Sequence, residues 1–182
     1  NIAGLRRAPL DDRAPGWPAE LDRLLAEATV AIRRPVPGPG GPGFADFEVG
    51  TVVAAIAEPV VGEGGVRVVD REFLAALGRR EFPLIMDEVQ CGLGRTGTFL
   101  ASEGVRADYY VFGKALGGGV EKIAALAVDR ERFQRDFGKY NISTFANGGL
   151  AAAVALEVPE DIKRDGIPER AGLQGERLFG RL

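Results

Sequence analysis

Three charged residues stand where apolar runs end: Glu58 after residues 52–57, Asp87 after 84–86, and Lys114 one glycine after 109–112. A carboxylate and an ammonium at one edge of a sheet can pair with each other or hold a charged ligand between them. Either outcome relieves the cost, on the order of several kcal/mol, of leaving a buried charge alone. Charge placement by itself leaves an ordinary Asp87–Lys114 salt bridge as open a reading as a ligand site. The chain has no histidine and a single cysteine, Cys91. Imidazole triads, the common zinc sites and an intramolecular disulfide are therefore excluded. Acid–base chemistry falls to Lys, Asp, Glu or Tyr, and a lysine that has shed its proton is a competent nucleophile and base.

The elements that must position these residues read as an α/β fold with a mostly parallel central sheet and flanking helices. The runs at 52–57, 84–86 and 109–112 are continuous rather than alternating, which predicts strands covered on both faces. Between the first two, Asp70 has the chemistry of an N-cap, and Phe73, Leu74 and Leu77 form one apolar face of a crossover helix. Residues 123–128 (IAALAV) make a fourth strand, and 147–156 a helix stopped by Pro159. Ahead of the sheet, Leu21, Leu24, Leu25 and Ala28 fall at helical spacing within 18–33. The run RPVPGPGGPG at 34–43 predicts a linker. The expected organisation is a helix plus Pro/Gly linker over 1–48, a core domain over 49–158, and a connection toward a C-terminal small domain over 159–182. Open parallel sheets bind ligands at the carboxyl ends of their strands, where Glu58, Asp87 and Lys114 fall.

Composition bounds the rest. With 46% apolar and 27% charged residues in 182, one compact domain with a real core is expected. The 23 basic and 26 acidic residues are scattered, leaving no basic stripe for a phosphate backbone, so nucleic acid is not an expected partner. No apolar run spans a bilayer and the first seven residues lack a secretory apolar stretch. A soluble, cytoplasmic protein is expected. The sole methionine is the interior Met86, consistent with a processed or truncated piece.

Residues 84–97 (LIMDEVQCGLGRTG) followed by 112–119 (FGKALGGG) resemble the signature of the class III aminotransferases, of ornithine, acetylornithine and GABA type. Upstream AEPVVGEGG at 57–65 and downstream STFAN at 143–147 extend the likeness in the family's order. The resemblance covers about 49–158 and implies a fold type I enzyme using pyridoxal 5′-phosphate (PLP). It assigns Lys114 as the Schiff-base lysine and carrier of the 1,3-proton shift, and Asp87 as partner of the pyridine nitrogen. Val89, taken to continue the strand of Asp87, would pack on one side of the ring, and Gln90 would contact the ring's 3-oxygen. Thr144 would reach the cofactor phosphate of the neighbouring subunit in a homodimer. Glu58 and Glu63 would lie beside the substrate's charged groups, or else belong to a solvated turn. The implied activity is transamination from an amine or amino acid to a 2-oxo acid by a ping-pong route. Alternatives are a mutase, racemase or decarboxylase on the same scaffold, or a non-catalytic binding or assembly module.

Two rival motifs compete. Residues 92–97 fit G-x-G-x-x-G after a strand, but no long amphipathic helix follows. Gly113-Lys114 resembles a phosphate loop, but Ala115 stands where Ser or Thr is needed. The family's Gly/Ser/Thr phosphate cradle and ring-stacking aromatic are not found before Val49, and its carboxylate-gripping arginine belongs to a later domain. Ile142 and Gly148 replace the usual His and Pro around the Ser-Thr pair, and GVEKI at 119–123 replaces a Pro-containing stretch.

Overall fold

The computed structural model describes residues 11–140 and 148–182. The chain divides into two compact units, Asn1–Ala54 and Ala55–Leu182.

In the first unit, α1 (Trp17–Glu27) starts with a proline in its first turn, where a missing N–H costs nothing, and buries Leu21. Arg23 reaches Glu20 at 2.6 Å and Glu27 at 2.5 Å along its exposed face. The helix ends well before residue 33, because the β-branched Thr29, Val30 and Ile32 enter a strand instead. β1 (Thr29–Val36) and β2 (Gly43–Gly50) form an antiparallel hairpin registered from Thr29↔Gly50 to Val36↔Gly43. The expected linker at 34–43 is thus corrected: Arg34, Pro35 and Val36 are strand residues and only 37–42 turn the chain. Both strands of a hairpin are edges, so a proline is tolerated where a central strand would reject it. Thr51 closes the open end, its N–H and Oγ both donating to the carbonyl of Ala28 at 2.7 and 2.8 Å.

The second unit is built on a four-stranded sheet. β3 (Ala55–Ala57), β6 (Leu84–Asp87), β7 (Tyr109–Phe112) and β8 (Ala125–Val128) lie side by side in that order. The first three are parallel and β8 is antiparallel to β7. Between β3 and β6 the chain makes a small hairpin of β4 (Val60–Val61) and β5 (Arg67–Val68), then α2 (Arg71–Gly78). The Asp70 carboxylate accepts from the Phe73 N–H at 3.0 Å, so it caps α2 as its residue type suggested. No helix links β6 to β7; residues 88–108 cross over in turns.

Burial along β6 alternates, with Leu84 and Met86 sealed and Ile85 and Asp87 half-buried. Ile56 on β3 and Leu126 on β8 stay 62% and 40% exposed. The expectation of strands covered on both faces is therefore corrected: the described residues seal one face of β6, leave β7 half-buried along its length and leave most of β8 exposed. Apolarity in a short run does not tell which face is sealed.

After the sheet come α3 (Phe137–Tyr140), α4 (Gly149–Arg164) and α5 (Ile167–Phe179). Pro159 does not stop α4, which runs on to Arg164. Burial of Ile162 and Val158 against the core offsets the hydrogen bond that Pro159 cannot make. No described helix is long and apolar enough to cross a membrane.

Candidate active site

The register of the sheet brings the charged strand ends together. Ala57 pairs with Met86, and Asp87 pairs with Val111. Glu58, Asp87 and Lys114 therefore all lie at the carboxyl edge of three adjacent parallel strands.

Lys114 opens a 3-10 turn, Lys114–Gly117, and is exposed. Its φ of +46° lies in the left-handed region, which costs an L-residue with a side chain about 1–2 kcal/mol. The turn holds it there because its next residues are anchored. Leu116 is buried with Leu93 and Ile162, and Phe112, Ala115, Ile123, Ala155 and Val158 pack on that cluster. Gly118, at φ +59°, lets Val158 of α4 come within 3.0 Å of where a Cβ would stand. Such strain persists where the surroundings over-determine a conformation, as at functional sites.

Asp87 ends β6 half-buried, and its Oδ1 accepts from the N–H of Val89 at 3.0 Å. That local bond turns the backbone away from the ladder, so Val89 lies in a turn rather than on the strand as expected. Among the described residues no donor reaches Oδ2. Val89 is half-buried beside Gly113; a Cβ there would meet its Cγ1 at 3.3 Å. Gln90 is exposed, and its Oε1 occupies the space over Gly62, 1.5 Å from where a Cβ would be. Half-buried Glu58 accepts from the Gly62 N–H at 3.3 Å, closing its own turn. Glu63 is exposed in the turn between β4 and β5. Thr144 lies outside the described residues.

Asp87 and Lys114 share this edge, and among the described residues no ion pair joins them. The opposite edge differs. There Arg106–Asp129 at 2.9 Å and Arg132–Asp108 at 2.8 Å satisfy one another. Among the described residues no group of three or more acidic or cysteine side chains could hold a metal.

This edge fits a PLP ring in two respects: among the described residues Asp87 has one oxygen engaged and one without a donor, and Lys114 is a primary amine held by its backbone with no described counter-ion. The family model "Aminotransferase class-III" matches residues 45–182. The chain belongs to the class III aminotransferases. It is 37% identical over 114 residues to the ornithine aminotransferase of Bacillus cereus (strain Q1), covering 62% of this chain and 29% of that protein. It is 42% identical over 102 residues to the putrescine aminotransferase of Pectobacterium atrosepticum, covering 53% and 21%. Among solved structures, the ornithine aminotransferase of Toxoplasma gondii, described with partial PLP occupancy, superposes with TM-score 0.62 at 35% identity, covering 67% of this chain and 30% of that one. A transaminase with L-alanine gives TM-score 0.67 at 28% identity, covering 96% and 40%. The fold is the α/β large-domain architecture of fold type I, and PLP is the cofactor of class III aminotransferases. The chain spans about three tenths of the length of the curated ornithine aminotransferase that it matches.

Within this family architecture the glycines of 92–97 serve packing. Gly94 and Gly97, at φ +89° and +97°, bring the loop against Pro168 and Gly172 of α5, the latter 3.3 Å from a Cβ on Gly97. The dinucleotide reading is thereby displaced. Sequence reasoning missed Glu88, 1% exposed, and its partner Ser102. The available signal was a second acid directly after Asp87 in an apolar run.

Proposed function

We propose that the protein carrying this chain is a PLP-dependent transaminase. It moves an amino group from an amine or amino acid to a 2-oxo acid in two half-reactions, the first product leaving before the acceptor binds. The observation that carries this reading is the placement of Asp87 and Lys114, with no ion pair between them among the described residues, at the carboxyl edge of adjacent parallel strands. Family membership and the ornithine and putrescine aminotransferases among its relatives support it.

When bound, PLP supplies an electron-withdrawing ring that receives the electron pair left when a substrate C–H bond opens. Lys114 Nζ would anchor the cofactor through its aldehyde carbon. Lys114 Nζ, an amine that can shed its proton, would also be the base that takes a proton from the substrate and gives it back. Asp87 would accept the ring N–H through Oδ2 and hold that proton in place, with Oδ1 retained by Val89. Val89 would pack against one ring face and Gln90 would contact the ring oxygen. Glu58 and Glu63 would face the charged groups of the substrate. Thr144 would reach the phosphate in the neighbouring subunit of a homodimer, and the protein would work in the cytoplasm.

The test is borohydride reduction of the PLP-loaded protein followed by peptide mass mapping. A pyridoxyl group on Lys114 is expected; a label on Lys122 or Lys139, or none, overturns the assignment.

A further inference from the structure

Glu88 takes no part in the chemistry above, yet it is among the most enclosed side chains of the molecule. Four donors converge on its two oxygens. Oε1 accepts from the Ser102 N–H at 2.8 Å and the Ser102 hydroxyl at 2.5 Å. Oε2 accepts from the Ala101 N–H at 3.1 Å and faces the Cys91 thiol at 3.5 Å. The backbone is equally fixed. Its N–H donates to the carbonyl of Val111 on β7 at 3.0 Å, and its own carbonyl accepts from the Gly92 N–H at 3.0 Å. A Cβ on Gly92 would stand 2.8 Å from that carbonyl and 3.0 Å from Oε2, so the chain closes around Glu88 where a glycine alone fits.

One residue thereby ties three segments: the end of β6 that carries Asp87, the strand β7 that leads to Lys114, and the loop of Ala101 and Ser102. A buried carboxylate with both oxygens engaged is rigid, and removing one acceptor strands a buried N–H. The Val89 N–H that holds Asp87 belongs to the same turn that Glu88 closes.

We propose that Glu88 is a positioning residue for the cofactor, fixing the direction in which Asp87 presents its Oδ2 and the place of Val89. The inference rests on the function proposed above.

The experiment is spectral titration of the cofactor-free protein with PLP, with the pH dependence of the bound cofactor's absorbance, for wild type, Glu88→Gln, Ser102→Ala and Leu74→Ala. Leu74, 2% exposed in α2, is the control for a general loss of core packing. Glu88→Gln, which turns one acceptor into a donor facing donors, is expected to bind PLP about tenfold more weakly and to shift the pH midpoint of the absorbance change. Ser102→Ala is expected to move both readouts the same way by less, and Leu74→Ala to lower the melting temperature while leaving both in place. Wild-type affinity and midpoint in Glu88→Gln overturn the inference, as do shifts in Leu74→Ala that match it. Should Glu88→Gln fail to fold, Ser102→Ala decides, and unmoved readouts there overturn the inference. Wild type that takes up no PLP overturns the proposed function itself, and this inference with it.

Discussion

Asp87→Asn keeps the size of the side chain and an oxygen to accept the Val89 N–H, but removes the charge that would hold a ring proton. Fold and cofactor uptake are expected to survive, while steady-state turnover falls by about a hundredfold or more, the scale of losing one preorganised electrostatic contact. Undiminished turnover would reject the role given to Asp87. Cys91 offers a measurement of a different kind. Burial, and then the neighbouring Glu88, push its thiol from 9.0 up to about 12. The folded protein therefore keeps this proton to higher pH than the unfolded chain does. The contribution to stability is full below pH 9 and is lost as pH rises toward 12. Urea midpoints are expected to fall across that window, and Cys91→Ala to flatten the fall. Asp87 and Lys114 were legible because each follows an apolar run, which places a charge at a strand end. Glu88 was not, since its burial depends on donors from Ala101 and Ser102, which adjacency in sequence does not announce.

At the level of elements, the cap of α2 is the most direct link between a residue type and a stability. Asp70→Ala removes the acceptor for the Phe73 N–H and is expected to cost about 1 kcal/mol in urea unfolding. A loss near zero would mean that the sheet alone holds α2. The parallel strands and their crossover helix could be read from the sequence, because apolar runs, turn residues and an N-cap agree there. The β1–β2 hairpin could not. Pro35 and the glycines around it argue for a linker, and the pairing of Ile32 with Phe47 that overrides them is a contact across fifteen residues. Pro159 misled for a related reason: local preference ends a helix there, whereas packing of Val158 and Ile162 continues it.

For the whole molecule, the family is fixed by residues 45–182, and the part of that stretch from Ala55 onward forms one compact unit. The chemistry-bearing edge belongs to the sheet, but its support comes from much later in the chain. Lys114 sits on a turn backed by Ala155, Val158 and Ile162 of α4, and the loop after Asp87 leans on Pro168 and Gly172 of α5. The strained backbone at residue 114 is thus braced from behind by helices that pack on it from outside. Warming should loosen that brace before the strands part, since helices on a periphery open at lower free energy than a central ladder. Loss of the visible cofactor band is then expected several degrees below loss of the far-ultraviolet signal of the sheet, with the two melts merging if the scaffold instead fails all at once. A left-handed lysine propped on a distant helix makes the grip on the cofactor the first casualty of heat.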